Sequence, residues 1–279
     1  MPTFDTAGPL DAQITNAAGD ITVTATDTAT TTVEVSAGSD RDRQTAEDTI
    51  VEVQDGRLRI EVPHHHGWTH TPEIDIRVTI PAHSSIQIQS ASADTTLTGV
   101  YDAVRVRTAS GDVRVDTVAG PARIETASGD VTLDESHGPV RIDTASGDVR
   151  LGSALGDDPV EVSTASGDAE IGSVSGPLTV NVASSDIRVR EAAGDLNVSS
   201  ASGDVTLDSV RSGKVGVSSA SGDVRIGIAR GVATWLDLHS LSGDIGTDQA
   251  DDNGPTAGEA TLELRANTVS GDIRLHHVG

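Results

Sequence analysis

The chain contains no cysteine, which excludes disulfides, thiol chemistry and cysteine-ligated metals. Aromatic side chains are nearly missing, with two tryptophans, one tyrosine and one phenylalanine in 279 residues. No aromatic platform for a sugar ring can be built from so few. Lysine occurs once, at Lys214, and every other cation is an arginine. No apolar run approaches the length of a membrane helix, so membrane insertion is not expected. Positive charge is scarce overall: 43 acidic residues face 19 basic ones, giving a net charge of −24 and a pI near 4.4. Such a surface repels nucleic acid phosphates and anionic membranes, and it points to cations or basic proteins as partners. The opening Met1-Pro2-Thr3-Phe4-Asp5 has neither a basic start nor an apolar stretch. No secretory signal is expected, which makes the cytoplasm the default compartment and a cell-surface or secreted placement dependent on a non-standard route.

What the chain has instead is a repeat. Ser-Gly-Asp stands at Ser110, Ser128, Ser146, Ser166, Ser202, Ser221, Ser242 and Ser270, with degenerate copies at Ser92-Ala93-Asp94 and Ser184-Ser185-Asp186. Counting full and degenerate copies together, the first four (Ser92, Ser110, Ser128, Ser146) are 18 residues apart and later spacings include 19, 20, 21 and 28. A fixed period near 20 marks one supersecondary unit stacked on itself. Glycine returns at half that period, at Gly111, Gly120, Gly129, Gly138, Gly147 and Gly156. Apolar residues follow each glycine at the second and fourth positions, as in Val113 and Val115, Ile124, Leu133 and Ile142. Apolar residues two apart describe a short strand with one face inside. The turns are rich in Thr, Ala, Ser and Gly, and glycine supplies the positive φ that turns need. Proline at Gly120-Pro121, Gly138-Pro139 and Gly176-Pro177 suits the first residue of a strand.

Two nonapeptides therefore make one coil, and the chain is expected to be an all-β, single-chain parallel β-solenoid of about ten 18-residue coils. A three-sided coil is the alternative; a hexapeptide helix does not fit a nine-residue spacing. The seventh position after each glycine (Val118, Ala127, Ser136, Ala145, Ala154) is small and reads as an inward corner. Residues 1–91 are strand-rich but aperiodic and read as an irregular N-terminal β cap. Residues 92–279 read as the solenoid repeats, with an inserted loop at 246–259. The last strand, Ile273 to Leu275, has no obvious cover, so salt-dependent self-association through the solenoid ends is expected.

Iterated Thr-Ala-Ser-Gly-Asp-Val-Arg-Val, with preceding strands Gly-Asp-Ile-Thr-Val, Asp-Gly-Arg-Leu-Arg-Ile and Ile-Arg-Val-Thr-Ile-Pro-Ala, resembles the bacterial "putative adhesin" domain of unknown function. The opening Met1 to Thr6 resembles signal-less actinobacterial members. The resemblance covers nearly the whole chain. It implies a β-solenoid and brings no catalytic residues.

Three constellations carry chemistry. Asp112, Asp130, Asp148, Asp168, Asp186, Asp204 and Asp223 should line one edge, about one coil apart. Arginine two residues on in alternate coils (Arg114, Arg150, Arg188, Arg225) suggests an Arg–Asp ladder. The competing use is binding of Ca²⁺ or another cation between neighbouring carboxylates, although the Gly-Gly-x-Gly-x-Asp signature of calcium β-rolls is absent. Polysaccharide-cleaving β-helices also use clustered carboxylates, yet here no pair is singled out. His64, His65, His66 and His70, bracketed by Pro63 and Pro72, form a candidate Zn or Ni site or a solvated loop. The Thr/Ser column (Thr108, Thr117, Thr126, Thr144, Thr164, Ser173) reads as a turn-bonding ladder, with an ice-binding or crystal-templating face as the alternative. The combined expectation is a non-catalytic scaffold or adhesin-like interaction module that uses a protein partner or self-association. A cation-binding β-roll is the alternative and a carbohydrate-active enzyme the third reading.

Overall fold

The computed structural model describes residues 2–63, 71–248 and 261–278. Apart from one short helix, α1 (Arg43–Glu47), its regular elements are strands. Two compact units divide the chain, Met1–His137 and Gly138–Gly279.

The first unit holds β1 (Thr3–Asp5), β2 (Asp11–Thr26), β3 (Thr30–Ala37), β4 (Ile50–Gln54), β5 (Arg57–Glu61) and β6 (Ile74–Pro81). It continues with β7 (Ser85–Tyr101), β8 (Ala103–Thr108), β9 (Val113–Val118), β10 (Ala122–Ser128) and β11 (Val131–Ser136). The long strands β2 and β7 run parallel, in register from Asp11↔Ser85 to Thr24↔Thr98. Each gives its first half to one sheet, ordered β5–β2–β7–β8–β10. Each gives its second half to the other, ordered β6–β2–β7–β9–β11. Antiparallel partners flank this parallel stack: β4 on β5, β3 on β6, and β1 on β3.

The second unit holds β12 (Val140–Ser146), β13 (Val149–Ala154), β14 (Val160–Ser166), β15 (Ala169–Val174), β16 (Leu178–Ser184) and β17 (Ile187–Ala192). It continues with β18 (Leu196–Ser202), β19 (Val205–Val210), β20 (Gly213–Ser221) and β21 (Val224–Ala229). The remaining strands are β22 (Ala233–Ser242), β23 (Ile245–Thr247), β24 (Thr261–Ser270) and β25 (Ile273–Val278). Even-numbered strands pair in parallel only with even ones, odd with odd. Two strands per coil and two parallel sheets are what the nine-residue alternation predicts: the chain is an all-β parallel β-solenoid.

The core is a stack of like on like. Ile142, Leu151, Val162, Ile171, Val180 and Val189 are all essentially buried, each lying at the fourth position of its strand motif. Burying one such side chain contributes roughly 1.5–3 kcal/mol. One inward position differs from expectation. Val118, Ser136, Ala154, Val174 and Ala192 are buried corner residues, but Ala127, Ala145, Ala165, Ala183 and Ala201 are exposed. In the strands leading to Ser-Gly-Asp the strict alternation carries on for one more step, so the sixth residue (Thr126, Thr144, Thr164, Ser200) turns inward.

The glycine of Ser-Gly-Asp is needed for more than its turn. A Cβ on Gly167 would stand 2.1 Å from the Gly147 carbonyl oxygen of the coil beside it, and one on Gly203 2.1 Å from that of Ser185. Coil meets coil here backbone to backbone, and both glycines also hold positive φ, +151° and +129°.

The carboxyl-terminal coils are out of chain order. β24 pairs with β20 on one edge and β22 on the other; β25 does the same with β21 and β23. The coil β24–β25 is therefore inserted beneath the earlier-synthesised coil β22–β23. Chain order alone puts Ile273 at the open end of the stack. In the structure Ile273 is fully buried between two neighbours, and among the described residues the one-sided coil is β22–β23. Trp235, Leu241 and Ile245 are exposed there.

Candidate functional site

The tight Ser-Gly-Asp turn aims each aspartate along the stack, where its carboxylate meets the backbone of the next coil. In the first unit the Asp112 N–H donates to Asp94 Oδ1 at 2.9 Å, and the Asp130 N–H to Asp112 Oδ1 at 3.0 Å. In the second unit the N–H of Asp168 donates to Asp148 Oδ1 (3.0 Å), Asp186 to Asp168 (3.1 Å), Asp204 to Asp186 (2.8 Å) and Asp223 to Asp204 (2.9 Å). The ladder then follows the inverted coil order, from Asp272 N–H to Asp223 Oδ1 and from Asp244 N–H to Asp272 Oδ1, both 3.0 Å. These N–H groups have no strand partner of their own, so each carboxylate satisfies a donor that the turn leaves over.

The second carboxylate oxygen is where arginine acts. Arg114 reaches Asp112 (3.4 Å), Arg150 reaches Asp148 (3.5 Å), and Arg274 reaches Asp272 (2.8 Å). Arg225 bridges two rungs, Asp204 at 3.1 Å and Asp223 at 3.0 Å. The N–H of Asp223, joined by Arg225, holds the Asp204 carboxyl below the usual carboxylate range. Arg188 does not join the ladder. It pairs with Asp208 at 2.9 Å, because Asp208 lies beside it on the next coil's strand. Asp168 and Asp186 have no arginine within ion-pair distance among the described residues. The Asp column is thus brought together as one row within each unit, in which the Oδ1 atoms of Asp94 and Asp112 in the first unit and of Asp148, Asp168, Asp186, Asp204, Asp223 and Asp272 in the second accept a backbone N–H, while arginine pairs the Oδ2 atoms on some rungs only. Among the described residues no group of three or more histidines or carboxylates is arranged to hold a metal ion. His64, His65, His66 and His70 lie outside the described residues, as does most of the 246–259 insertion.

The threonine column does not bond turns. Thr108, Thr126, Thr144 and Thr164 are buried, and their hydroxyls have no hydrogen-bond partner among the described residues. Their inward direction follows from the extra step of alternation described above.

A second surface is not visible in the repeat. In the first unit Arg57, Arg59, Arg105, Arg107 and Arg123 share one outward sheet face. Arg107 donates to Glu125 at 2.9 Å and Arg123 at 2.5 Å, and the two together hold the Glu125 carboxyl below its ordinary range. Each arginine occupies an ordinary solvent-facing position of its own strand. Only the β5–β2–β7–β8–β10 register gathers them, and the only trace in the sequence is arginine recurring at outward positions of separate strands.

No helix among the described residues is long and apolar enough to cross a membrane. No curated protein matches the chain. Among solved structures, a "putative adhesin" from Bacteroides fragilis NCTC 9343 aligns over 99% of this chain and 95% of its own, at 12% identity and a TM-score of 0.36. A "putative lipid binding protein" from Parabacteroides distasonis ATCC 8503 aligns over 99% and 95%, at 14% identity and a TM-score of 0.34. A "putative cell adhesion protein" from Clostridium sporogenes ATCC 15579 aligns over 99% and 98%, at 8% identity and a TM-score of 0.22. The family model described as Toastrack DUF4097 matches residues 11–276, which takes in the strands from β2 to most of β25 and the ladders described above, and the chain belongs to that family.

Proposed function

We propose that this chain is a non-catalytic β-solenoid scaffold, an adhesin-like module that works by presenting surface rather than by turning over substrate. The observation that carries this reading is the uniformity of the aspartate ladder. From Asp148 to Asp204 each Oδ1 accepts a backbone N–H of a neighbouring coil, so these carboxylates serve the stack and none is set apart as an acid, base or nucleophile. Catalytic carboxylates work in unlike pairs, one protonated and one ionised, and a row whose members all accept a backbone N–H in the same way favours the ionised form throughout. Partners would meet the outward faces or the one-sided coil β22–β23, whose unpaired backbone can accept a strand from another chain, a second copy included.

A cation-binding role is the second reading. Asp168 and Asp186 are adjacent rungs without an arginine within ion-pair distance, so their Oδ2 atoms are free to associate with cations, Ca²⁺ among them, held by field rather than by a closed cage.

The test is a panel of polysaccharides and esters incubated with purified protein. Absence of turnover is the expected result. Turnover abolished by one Asp→Asn change would overturn the proposal, because it would give one rung a catalytic role in a row that otherwise serves the stack.

A further inference from the structure

The outward face of β4–β5–β2–β7–β8–β10 in the first unit carries an open groove of about 1230 Å³. Glu52, Arg59, Gln13, Gln87, Arg105 and Arg123 are successive partners across its six strands. The acids of the groove, Asp11, Glu52 and Asp55, gather toward the β4–β5 end. From Gln13 to Arg123 the same row holds no acid. Gln87 and Arg105 are half-buried and form the floor; Arg59, Gln13 and Arg123 are exposed and form the rims. Four arginines line this groove in a chain with only 19 basic residues against 43 acidic ones, so the sign of the surface is locally reversed.

The reversal is concentrated at Arg105 and Arg123. They are direct partners on adjacent strands, and like charges so placed repel. Arg123 spends its Nε on Glu125. Arg105 has no ion pair among the described residues, and its Nε is buried without a hydrogen-bond partner. A charged donor left unpaired away from water is costly, and an oxyanion seated between the two guanidiniums supplies the counter-charge that Arg105 lacks and relieves their repulsion.

We propose that this groove binds an extended acidic carbohydrate, with a carboxylate held by Arg105 and Arg123 and sugar hydroxyls held by Gln87, Gln13 and Ser85. The arginine fork matches the planar carboxylate, and amide and hydroxyl groups both donate and accept, as sugar hydroxyls require. The row from Arg59 to Arg123 crosses four inter-strand steps of about 4.8 Å, roughly 19 Å in all, which suits several linked rings better than one small acid. The groove volume exceeds the roughly 300–1,000 Å³ typical of small-molecule pockets, in the same direction. The net charge of −24 does not forbid this, because at about 0.15 M salt the Debye length is about 8 Å, so contacting arginines act and remote acids are screened.

The proposal rests on the reading of the chain as a non-catalytic interaction module. It is tested by calorimetric titration of the full chain at 0.15 M salt with a short oligogalacturonate, with a neutral malto-oligosaccharide and with inorganic phosphate. Saturable binding of the acidic oligosaccharide is expected, at least tenfold tighter than either comparator. Arg105→Gln should weaken it about tenfold or more with a thermal melt no lower than the wild type's, whereas Arg114→Gln, outside the groove, should bind as the wild type. Should Arg105→Gln fail to fold, Arg123→Gln carries the same test from an exposed position. Equal binding of the neutral sugar, phosphate binding as tight as the oligosaccharide, or full affinity in the groove variants overturns the assignment. Shortening of the oligosaccharide during the titration would instead refute the non-catalytic reading and leave the groove standing. Absence of binding refutes the groove alone.

Discussion

Replacing Asp186 by asparagine should stabilise the protein, although it alters a rung whose carboxylate accepts a hydrogen bond. Asp186 stands between Asp168 and Asp204, and no arginine among the described residues lies within ion-pair distance. At a coil spacing of about 4.8 Å each neighbour repels it by roughly 0.9 kcal/mol in water, or about 1.7 kcal/mol for the two. At 0.1 M salt, where the Debye length is about 10 Å, this falls to about 1.1 kcal/mol. Asparagine keeps an oxygen for the Asp204 N–H, now a neutral acceptor; at an exposed site the weakening costs about 0.5 kcal/mol. The balance is a gain of about 0.5 kcal/mol at 0.1 M, nearer 1 kcal/mol at 0.01 M, and close to nothing at 1 M. Asp204→Asn is the matched comparison. It relieves the same repulsion but gives up the 3.1 Å contact with Arg225, which as a surface pair is worth up to about 1 kcal/mol, so no net gain is expected. Urea unfolding at the three salt concentrations reads the difference, since urea adds no ions. A loss of stability in Asp186→Asn at 0.01 M, or a gain independent of salt, would refute the claim that repulsion along the ladder outweighs the charge on its hydrogen bonds.

Gly167→Ala should cost about 3 kcal/mol, since the new Cβ meets the Gly147 carbonyl at 2.1 Å, whereas Gly56→Ala, with nothing within 4 Å, should cost only its positive-φ strain of about 1 kcal/mol; thermal melts compare the two. The depressed folded pKa of Asp204 contributes stability present above the unfolded value of about 3.9 and lost as pH falls through the folded value, so between pH 5 and 2 the wild type should lose more urea resistance than Asp204→Asn. Calcium should raise the melting temperature no more than sodium chloride of equal ionic strength; a saturable rise would favour the cation-binding reading. If copies associate through the one-sided coil, sedimentation at high salt should show a larger species that Leu238→Lys abolishes, while Ile273→Lys, aimed at a strand with both edges filled, should unfold the last coils instead.

The parts of this fold legible in the sequence are those decided within one nonapeptide. Val131 and Leu133, or Ile187 and Val189, point inward because a strand alternates, and Gly129 stands where its turn is tight. The seventh-residue rule worked for Val118 and Ala154 and failed for Ala127 and Ala145, because the strand before Ser-Gly-Asp alternates one step longer and a composition of small residues does not reveal that step. The aspartate column was foreseeable from spacing, but its bonds were not: a period of 18 places Asp112 beside Asp130 without saying that one accepts the other's N–H. Arg188 was misplaced by the same limit, since Asp208, which captures it, belongs to the next coil. The arginine groove and the inverted order of the last coils rest on pairings between distant segments, Gln13 with Gln87 and Lys214 with Glu263, for which the chain carries no local signal.

The inverted coil order also bears on how a solenoid of this kind acquires its length. Tandem duplication lengthens a repeat protein by offering each new unit a free edge on the unit before it. Here the strands last in sequence, β24 and β25, are flanked on both edges, so a repeat copied after them could not stack on its own predecessor and would have to reach the outer edge of β22–β23. Within the regular run between β12 and β21 a coil can be added or removed without disturbing that arrangement. The inserted coil ties the arrival of β22 and β23 in the fold to the return of a segment synthesised after them.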